Sequence, residues 1–446
     1  RADFKGSFPQ TRDVDRPMSN AVQIFNRYDA GLATAQDAAA SRGASVGSEA
    51  SDPDDTTREG DASPTADADE AAPAASGLAS AYALTSNGAL TPLGRELGED
   101  YNDPRWSPLL DRLGQSEMER FVLHGYSNSG ALEGVSKPRT KDLDGSSQAA
   151  SFNQLRYGTG FPSPTVLAQT WDTQLARRYG RAVGMECAML GIDGWYAPAC
   201  NLHRSPVGGR NYEYYSEDPL VSGEMAAQTI LGSKETGTFC YLKHMVLNEQ
   251  DSYRDSLYTW LTEQSLRELY LEPFRIAVEE GGATGMMSSY NRIGAIWTGG
   301  SRALLTEVLR GEWGFRGSVI TDYSDHHSYM NADEMLRAGG SLYMDGVFRD
   351  GSFRFGTDSP NFRACLRRAT KDVIYAWLNA RAANLAYNDA ALQAGTATID
   401  RPLKHRGVSP VLVGISVVDA VAALCVAVKA HRVLRRRARK KGHAGE

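Results

Sequence analysis

The pattern of apolar and polar positions divides the chain into a polar N-terminal part, a long alternating middle part and an apolar segment near the C-terminus. In the middle part, short apolar runs alternate with longer segments whose apolar residues recur with helical spacing. The runs predict three strands, at 237–242, 284–289 and 317–321. Strands that alternate with helices are typical of a parallel sheet, either closed into a barrel or open.

Three amphipathic segments predict helices, at 106–126, 263–280 and 302–313. Thr262 directly precedes the second segment and is a suitable N-cap. The second and third segments each follow a predicted strand, so the pattern contains repeated strand-helix units.

Each predicted strand ends in side chains that can take part in chemistry: Lys243 and His244, Tyr290 and Asn291, and Asp322 and Tyr323. In a (β/α)₈ barrel the carboxyl ends of the strands share one face, and that face holds the active site. An open sheet would gather the same ends at a crevice. The repeated placement favours an α/β fold with a TIM-like (β/α)₈ barrel.

The N-terminal part is poor in residues that could build a core. Residues 32–80 are dominated by Ala, Ser, Asp, Glu, Thr, Pro and Gly, and no aromatic residue occurs between Tyr28 and Tyr82. Such a segment cannot bury enough apolar surface to offset its chain entropy. We therefore predict an N-terminal remnant or docking segment at 1–31, a disordered acidic linker at 32–86 and a barrel domain at 87–390. Because the chain begins with Arg1 rather than Met, we expect a fragment or a processed product.

A second apolar feature follows a juxtamembrane linker predicted at 391–407. Residues 408–428 contain one carboxylate, Asp419, and have the length needed to span a hydrocarbon core of about 30 Å. The basic flank at 429–441 is typical of the cytoplasmic side of such a span. We predict a single-pass cell-membrane protein with residues before 408 outside the cell and a cytoplasmic tail at 429–446. The alternative is a buried core helix, favoured by three residues: Pro410, Gly414 and Asp419.

Charge and cysteine content exclude several classes of ligand. The formal net charge is −6 although eight Lys and Arg residues lie in 429–441, so the rest of the chain is strongly acidic. That balance disfavours nucleic acid and suits a neutral ligand. The five cysteines show no CxxC spacing, which disfavours a zinc site or a disulfide scaffold and indicates reduced thiols: Cys187, Cys200, Cys240, Cys365 and Cys425. No cofactor is predicted.

A strand-end acid, a Lys-His pair, an arginine in a Gly-rich turn and several aromatic residues suit a carbohydrate site. Aromatic faces stack on sugar rings, while charged groups bond the hydroxyls. Five segments in order resemble glycoside hydrolase family 3 of the β-glucosidase type: 209–220, 243–250 with Arg254, 266–274, 287–291 and 312–322.

The resemblance implies a TIM-like barrel whose strand-end aspartate, Asp322, attacks the anomeric carbon of a non-reducing terminal β-linked sugar. The product of that step would be a covalent glycosyl-enzyme, and the reaction would retain configuration. By matching positions, Arg210, Lys243 and His244 would bind sugar hydroxyls, and Tyr290 would lie beside the nucleophile. The substrate would be an oligosaccharide or β-glycoside, with glucose as the default sugar.

Two further matches are less complete. Asp144 resembles the family's sugar-binding aspartate, but the Gly-Pro expected after it reads Gly145 and Ser146. Tyr323 stands where many members carry tryptophan, and either ring can stack on a sugar. Among neighbouring residues, we predict that Glu213, Glu217 and Asp218 brace the Arg210 loop and that Trp195, Trp297 and Trp313 belong to the core.

Each candidate also has an ordinary structural interpretation. An aspartate after a strand is most often a helix cap, and Lys-His pairs are usually surface features. The family order of all the motifs together favours the functional interpretation. A barrel enzyme of unrelated chemistry lacks support, because the sequence has no phosphate-binding glycine loop or metal triad.

The resemblance also implies a general acid/base that family members usually take from a second, sandwich domain. We expect that domain to be missing from this chain. Some relatives carry the sandwich domain before the barrel, and the start at Arg1 fits a chain cut from such a parent. Asp325, His326 and His327 are the substitutes that lie nearest to the nucleophile in sequence. The alternative function is a cell-surface carbohydrate-binding protein that keeps the barrel but lacks turnover.

Overall fold

The computed structural model describes residues 81–150, 158–324, 329–345, 355 and 358–393, with side chains up to Tyr387. All of them belong to one compact unit, Arg1–Asp400. Several predicted features lie outside the described residues: 1–31, most of the linker at 32–86, nearly all of 391–407, the candidate span at 408–428 and the tail at 429–446.

Ten strands occur among the described residues. They are β1 Thr85–Ser86, β2 Ala89–Leu90, β3 Asp142–Leu143, β4 Gly194–Trp195, β5 Phe239–Met245, β6 Tyr258–Thr259, β7 Gly285–Ser288, β8 Arg292–Ile293, β9 Ile296–Trp297 and β10 Ser318–Ile320. The central sheet has the order β10-β7-β5-β4-β3 with every pair parallel, and β6, β8 and β9 form a second, small sheet. The three strand predictions are therefore confirmed as β5, β7 and β10.

Helices connect these strands. They are α1 Pro92–Glu99, α2 Trp106–Leu110, α3 Gln115–Leu123, α4 Pro164–Ala168, α5 Thr173–Leu190, α6 Pro219–Lys234, α7 Glu263–Ser265, α8 Glu272–Glu279, α9 Ala332–Ala338 and α10 Pro360–Gln393, with π-helical turns at Leu266–Tyr270 and Ala303–Glu312. Thr262 caps α7 as predicted, because its hydroxyl accepts from Ser265 N at 3.2 Å. The predicted helices at 263–280 and 302–313 are thus present, with wider π-helical turns in both.

The single helix predicted at 106–126 is wrong. The segment forms two helices, α2 and α3, because Gly114 at the start of α3 is extended, with φ −68° and ψ 147°. Glycine costs about 1 kcal/mol relative to alanine inside a helix, so this is where the chain turns. The apolar spacing was nevertheless a sound guide to burial, since Leu109, Phe121 and Val122 are all buried.

The sheet closes into a ring through segments that are too irregular to count as strands. Ile320 of β10 pairs with Leu342, and Tyr343 N donates to Val122 O at 2.8 Å. An irregular antiparallel hairpin over 127–142 then leads into β3. Seven chain segments thus form the ring in the described part of the chain, which confirms a TIM-like barrel without showing the eight units of the prediction.

Burial explains why the strands read as nearly continuous apolar runs. All seven residues of β5 are buried, as expected for a parallel strand covered on both faces. On the outer side, α5 and α6 approach so closely that a Cβ added at Gly180 would lie 2.0 Å from Thr229 O. Trp195 and Trp297 are fully buried and Trp313 packs partly buried against the core, so the core prediction is confirmed.

No helix in the described part of the chain, the 34-residue α10 included, is both long enough and apolar enough to cross a membrane. The prediction for 408–428 lies outside that part. Three of the four cysteines that the structure describes are buried, and none of the four forms a disulfide there: Cys187, Cys200, Cys240 and Cys365.

Candidate active site

The carboxyl ends of the barrel strands carry the predicted site residues. Asp144 follows β3, Lys243 and His244 lie near the end of β5, Tyr290 comes after β7 and Asp322 comes after β10. Because these strands are parallel neighbours, their ends lie on one face of the barrel. The arrangement brings together residues that are far apart along the chain.

Lys243 is the centre of an ion-pair network that is buried except at Asp144, whose side chain is 55% exposed. Its Nζ lies 2.8 Å from Asp144 Oδ1 and 3.8 Å from Glu213 Oε2. Glu213 also accepts from Arg210 Nε. The side chains of Lys243 and Glu213 are each 4% exposed, so the carboxylate of Glu213 holds two cations together away from water. The prediction that Glu213 braces Arg210 is confirmed, whereas Asp218 caps α6 by accepting from Val221 N.

Arg210 determines the protonation of His244. Its Nη2 lies 3.0 Å from His244 Nε2, and a guanidinium can only donate. Nε2 must therefore accept, which leaves the ring neutral with its proton on Nδ1. Burial lowers the pKa of His244 well below its usual range, and Arg210 and Lys243 act in the same direction. The contact of 3.7 Å between His244 Nε2 and Asp322 Oδ2 is then not an ion pair.

Asp322 is held by its backbone environment and by distant positive charge. Its side chain is 13% exposed, and Oδ1 accepts from Tyr323 N at 2.8 Å. Burial raises the pKa of Asp322, although Arg210 and Arg254 act to lower it. The two arginines thus favour the ionised form that a nucleophilic carboxylate needs, and burial opposes it.

Three buried atoms in this network lack a hydrogen-bond partner within the described part of the chain. They are Asp322 Oδ2, Arg210 Nη1 and His244 Nδ1. Leaving such atoms unpaired costs roughly 1 to 3 kcal/mol each, so a cluster of them calls for an explanation. An acceptor and two donors in one place match a ligand rich in hydroxyl groups.

Several aromatic rings lie near the strand ends that carry Tyr290 and Asp322. Tyr290 is buried under the guanidinium of Arg254, which lies 4.2 Å from its ring centre. Tyr323 is half-buried and meets Tyr126 edge-on, with ring centroids 5.7 Å apart. Tyr329 donates its hydroxyl to Tyr290 O at 2.8 Å. Such rings offer the kind of apolar surface on which a sugar face stacks.

The sequence did not assign roles to Asn201 or Arg254. The side-chain amide of Asn201 accepts from His244 N at 2.8 Å and donates to His244 O at 3.0 Å, so it fixes the backbone of a site residue. No local pattern indicates this contact. Arg254 appeared only as part of a motif, and its charge acts on both Asp322 and His244.

Residues 148–344 match the Glycosyl hydrolase family 3 N terminal domain. The matched segment contains most of the candidate site residues, while Asp144 and Tyr126 precede it. The residues inside it are Arg210, Lys243, His244, Tyr290, Asp322, Tyr323 and Tyr329. The match covers 197 of the 446 residues, so this segment of the chain is similar to that domain.

Curated relatives of this domain are β-glucosidases. The chain is 37% identical over 217 residues to β-glucosidase B of Emericella nidulans, and 39% identical over 223 residues to a β-glucosidase of Rhizobium radiobacter. Each match covers 49% of this chain, but only 25% and 27% of the two relatives. The chain thus spans about a quarter of the length of the curated relatives it matches.

Solved structures agree on the fold. β-Glucosidase 3B from Thermotoga neapolitana, solved in complex with α-D-glucose, superposes with a TM-score of 0.56 at 28% identity. The superposition covers 65% of this chain and 46% of that one. A β-glucosidase from Bifidobacterium adolescentis gives a TM-score of 0.55 at 27% identity, over 64% and 43% of the two chains.

Proposed function

We propose that this chain carries the nucleophile-bearing half of a retaining, exo-acting glycoside hydrolase that removes a non-reducing terminal β-linked glucose. The observation that supports this most is Asp322, a carboxylate at a barrel strand end whose Oδ2 is buried and has no hydrogen-bond partner among the described residues, and on which Arg210 and Arg254 act electrostatically. The names of the relatives support glucose as the sugar.

In the proposed reaction, Asp322 Oδ2 forms a bond to the anomeric carbon while the bond from that carbon to the aglycone oxygen breaks. The leaving oxygen takes a proton from a general acid. Water then attacks the anomeric carbon, gives its proton to the same group and releases Asp322. Arg210 Nη1 and His244 Nδ1 donate to sugar hydroxyls, while Asp144 and Lys243 bind at the far end of the ring.

The general acid is proposed to come from outside this chain. A retaining mechanism requires a second carboxyl group about 5 Å from the first. Three residues close to Asp322 in sequence could substitute for this carboxyl group, but they lie outside the described residues: Asp325, His326 and His327. General acid catalysis contributes about 10²- to 10⁴-fold, so glycosides with poor leaving groups should react slowly with the chain alone.

The test uses 2,4-dinitrophenyl 2-deoxy-2-fluoro-β-glucoside, whose leaving group needs no acid. Fluorine slows the second step, so the adduct accumulates and can be located by peptide mass spectrometry. We expect one added sugar on the peptide that contains Asp322, and no label from the α-anomer of the same reagent. Absence of label on a folded chain that binds glucose would instead support the carbohydrate-binding alternative.

We also propose that residues 408–428 anchor the chain in the cell membrane with the barrel outside. The support is the apolar composition of this segment and the basic residues that follow it. Expression of the chain with and without residues 401–446, followed by membrane fractionation, tests this. Equal distribution of both forms in the soluble fraction would contradict an anchor.

A further inference from the structure

One short turn carries two charged residues of the ion-pair network. Asn211–Glu213 form a single 3-10 turn directly after Arg210, and Glu213 N donates to Arg210 O at 3.0 Å. The loop around this turn is closed at its base, where His203 N donates to Ser216 O at 3.0 Å. The backbone of the turn therefore determines where the side chains of Arg210 and Glu213 lie.

Two side chains from outside the turn bind its backbone carbonyl groups. The hydroxyl of Thr165, in α4, lies 2.7 Å from Asn211 O and 2.9 Å from Tyr214 O. His203 Nε2 lies 2.9 Å and 3.1 Å from the same two oxygens. Because a carbonyl oxygen only accepts, the hydroxyl and Nε2 must both donate. We call these two side chains with the two carbonyl groups the turn clamp.

The turn clamp requires a proton on His203 Nε2. His244 differs in this respect, because its Nε2 accepts from Arg210. A replacement for His203 keeps the clamp only if it presents a donor where Nε2 lies. The side-chain amide of glutamine carries N–H donors at a similar distance from the backbone, whereas leucine has none.

The two clamped carbonyl groups stand beside the two charged residues. Asn211 directly follows Arg210, and Tyr214 directly follows Glu213. Arg210 Nη1 is a buried atom without a hydrogen-bond partner in the described part of the chain, and it is one of the proposed donors to sugar. Its position thus depends on a turn whose backbone is held by donors from elsewhere in the fold.

We propose that Thr165 and His203 are positioning residues for sugar binding, which act through the turn that carries Arg210 and Glu213. This inference rests on the proposed function, in which Arg210 binds a sugar hydroxyl. Loss of either donor leaves one donor for two carbonyl groups, so the turn gains freedom and Arg210 Nη1 moves. A shift of about 1 Å costs up to about 100-fold in rate, and loss of one donor of two should cost less.

The test removes the hydroxyl while the shape of the side chain is kept. Thr165→Val should slow labelling by 2,4-dinitrophenyl 2-deoxy-2-fluoro-β-glucoside about three- to tenfold and raise the Kd for glucose by a similar factor. Thr165→Ser, which keeps the hydroxyl, should label at the parent rate. His203→Leu should resemble Thr165→Val, and His203→Gln should restore most of the loss.

Thr170→Val is the matched control. Thr170 lies two residues after the end of α4, and its hydroxyl donates to Leu167 O rather than to the turn. The control should leave the labelling rate and the Kd for glucose at the parent values.

A double-mutant cycle separates positioning of Arg210 from general support of the fold. Independent sites have additive free energies, whereas residues that act through one another do not, so Thr165→Val should change labelling less than about twofold in an Arg210→Ala background. The same factor in both backgrounds, or no effect of Thr165→Val in the parent, would overturn the positioning role.

The two readouts keep this inference distinct from the proposed function. If the folded parent chain binds glucose but takes no label, the nucleophile proposal fails, and the same cycle measured by the Kd for glucose decides the role of the turn clamp. A folded parent chain that neither labels nor binds glucose would overturn both.

Discussion

Two buried aspartates near opposite ends of β10 have very different surroundings. Asp372, from α10, lies near the amino end of the strand and is fully buried. It accepts from Tyr101 Oη at 2.5 Å, from Arg368 Nη1 at 2.6 Å and from Ser341 Oγ at 3.1 Å, and it pairs with Arg310 at 3.0 Å. Both of its oxygens are therefore paired within the fold.

Asp322, at the carboxyl end of the same strand, has one backbone donor on Oδ1, and the described part of the chain offers no donor to Oδ2. Its positive neighbours act at longer range, because Arg210 is directed to Glu213 and His244. A buried carboxylate with all its donors stabilises the fold, whereas one with an unused oxygen is available for chemistry. The two side chains differ modestly in exposure, 0% for Asp372 and 13% for Asp322, and much more in pairing.

The largest effect should come from removing the unused oxygen. Asp322→Asn should lower the rate of labelling by 2,4-dinitrophenyl 2-deoxy-2-fluoro-β-glucoside at least about 1,000-fold, because the amide is not a nucleophile. The circular dichroism spectrum should match that of the parent. Labelling of another residue at the parent rate would show that Asp322 is not the nucleophile.

Removing the fully paired carboxylate should instead affect stability. Asp372→Asn removes the fully buried counter-charge of Arg310 and Arg368, whose side chains are 10% and 26% exposed. Breaking a fully buried pair costs about 3 to 5 kcal/mol, and the partial exposure of the two arginines should reduce that cost. The expected result in urea unfolding is a lower midpoint. Labelling per folded molecule should stay at the parent value, and a specific loss of labelling without loss of stability would reverse the comparison.

An intermediate effect on the labelling rate is expected from Glu213, whose carboxylate pairs with Arg210 and Lys243. Glu213→Gln removes the charge between Arg210 and Lys243, so the two cations should separate and the sugar contacts should move. Displacements of this kind cost up to about 100-fold in rate, and we expect a 10- to 100-fold slower labelling. Glu217→Gln on the same loop, where the carboxylate is exposed, is the control and should label normally.

The smallest effect concerns pH. Burial raises the pKa of Asp322, and the carboxylate attacks only when ionised, so labelling should slow as pH falls through this raised pKa. In a plot of labelling rate against pH, the acid limb should therefore lie above about pH 4, which is the pKa range of an ordinary aspartate. His244 is already neutral and should add no limb. A limb near pH 6.5 that disappears in a His244 variant would contradict this assignment.

The sequence by itself determined much of this protein. Apolar runs ending in Lys243, Tyr290 and Asp322 located three barrel strands and their reactive ends, because a buried parallel strand needs an apolar run and its polar end needs solvent or a ligand. Five motifs that occur in the same order as in glycoside hydrolase family 3 indicated the resemblance. The match of residues 148–344 to that family's N-terminal domain supports it.

Only the tertiary structure decided how those residues act on one another. The neutral state of His244 depends on Arg210, which lies 34 positions earlier in the chain, and the backbone of His244 is fixed by Asn201, 43 positions earlier. The break at Gly114 and the irregular closure through 127–142 were likewise invisible to helical spacing. Periodicity reports which face of an element is buried, whereas charge state and pairing depend on neighbours that the chain brings together only when it folds.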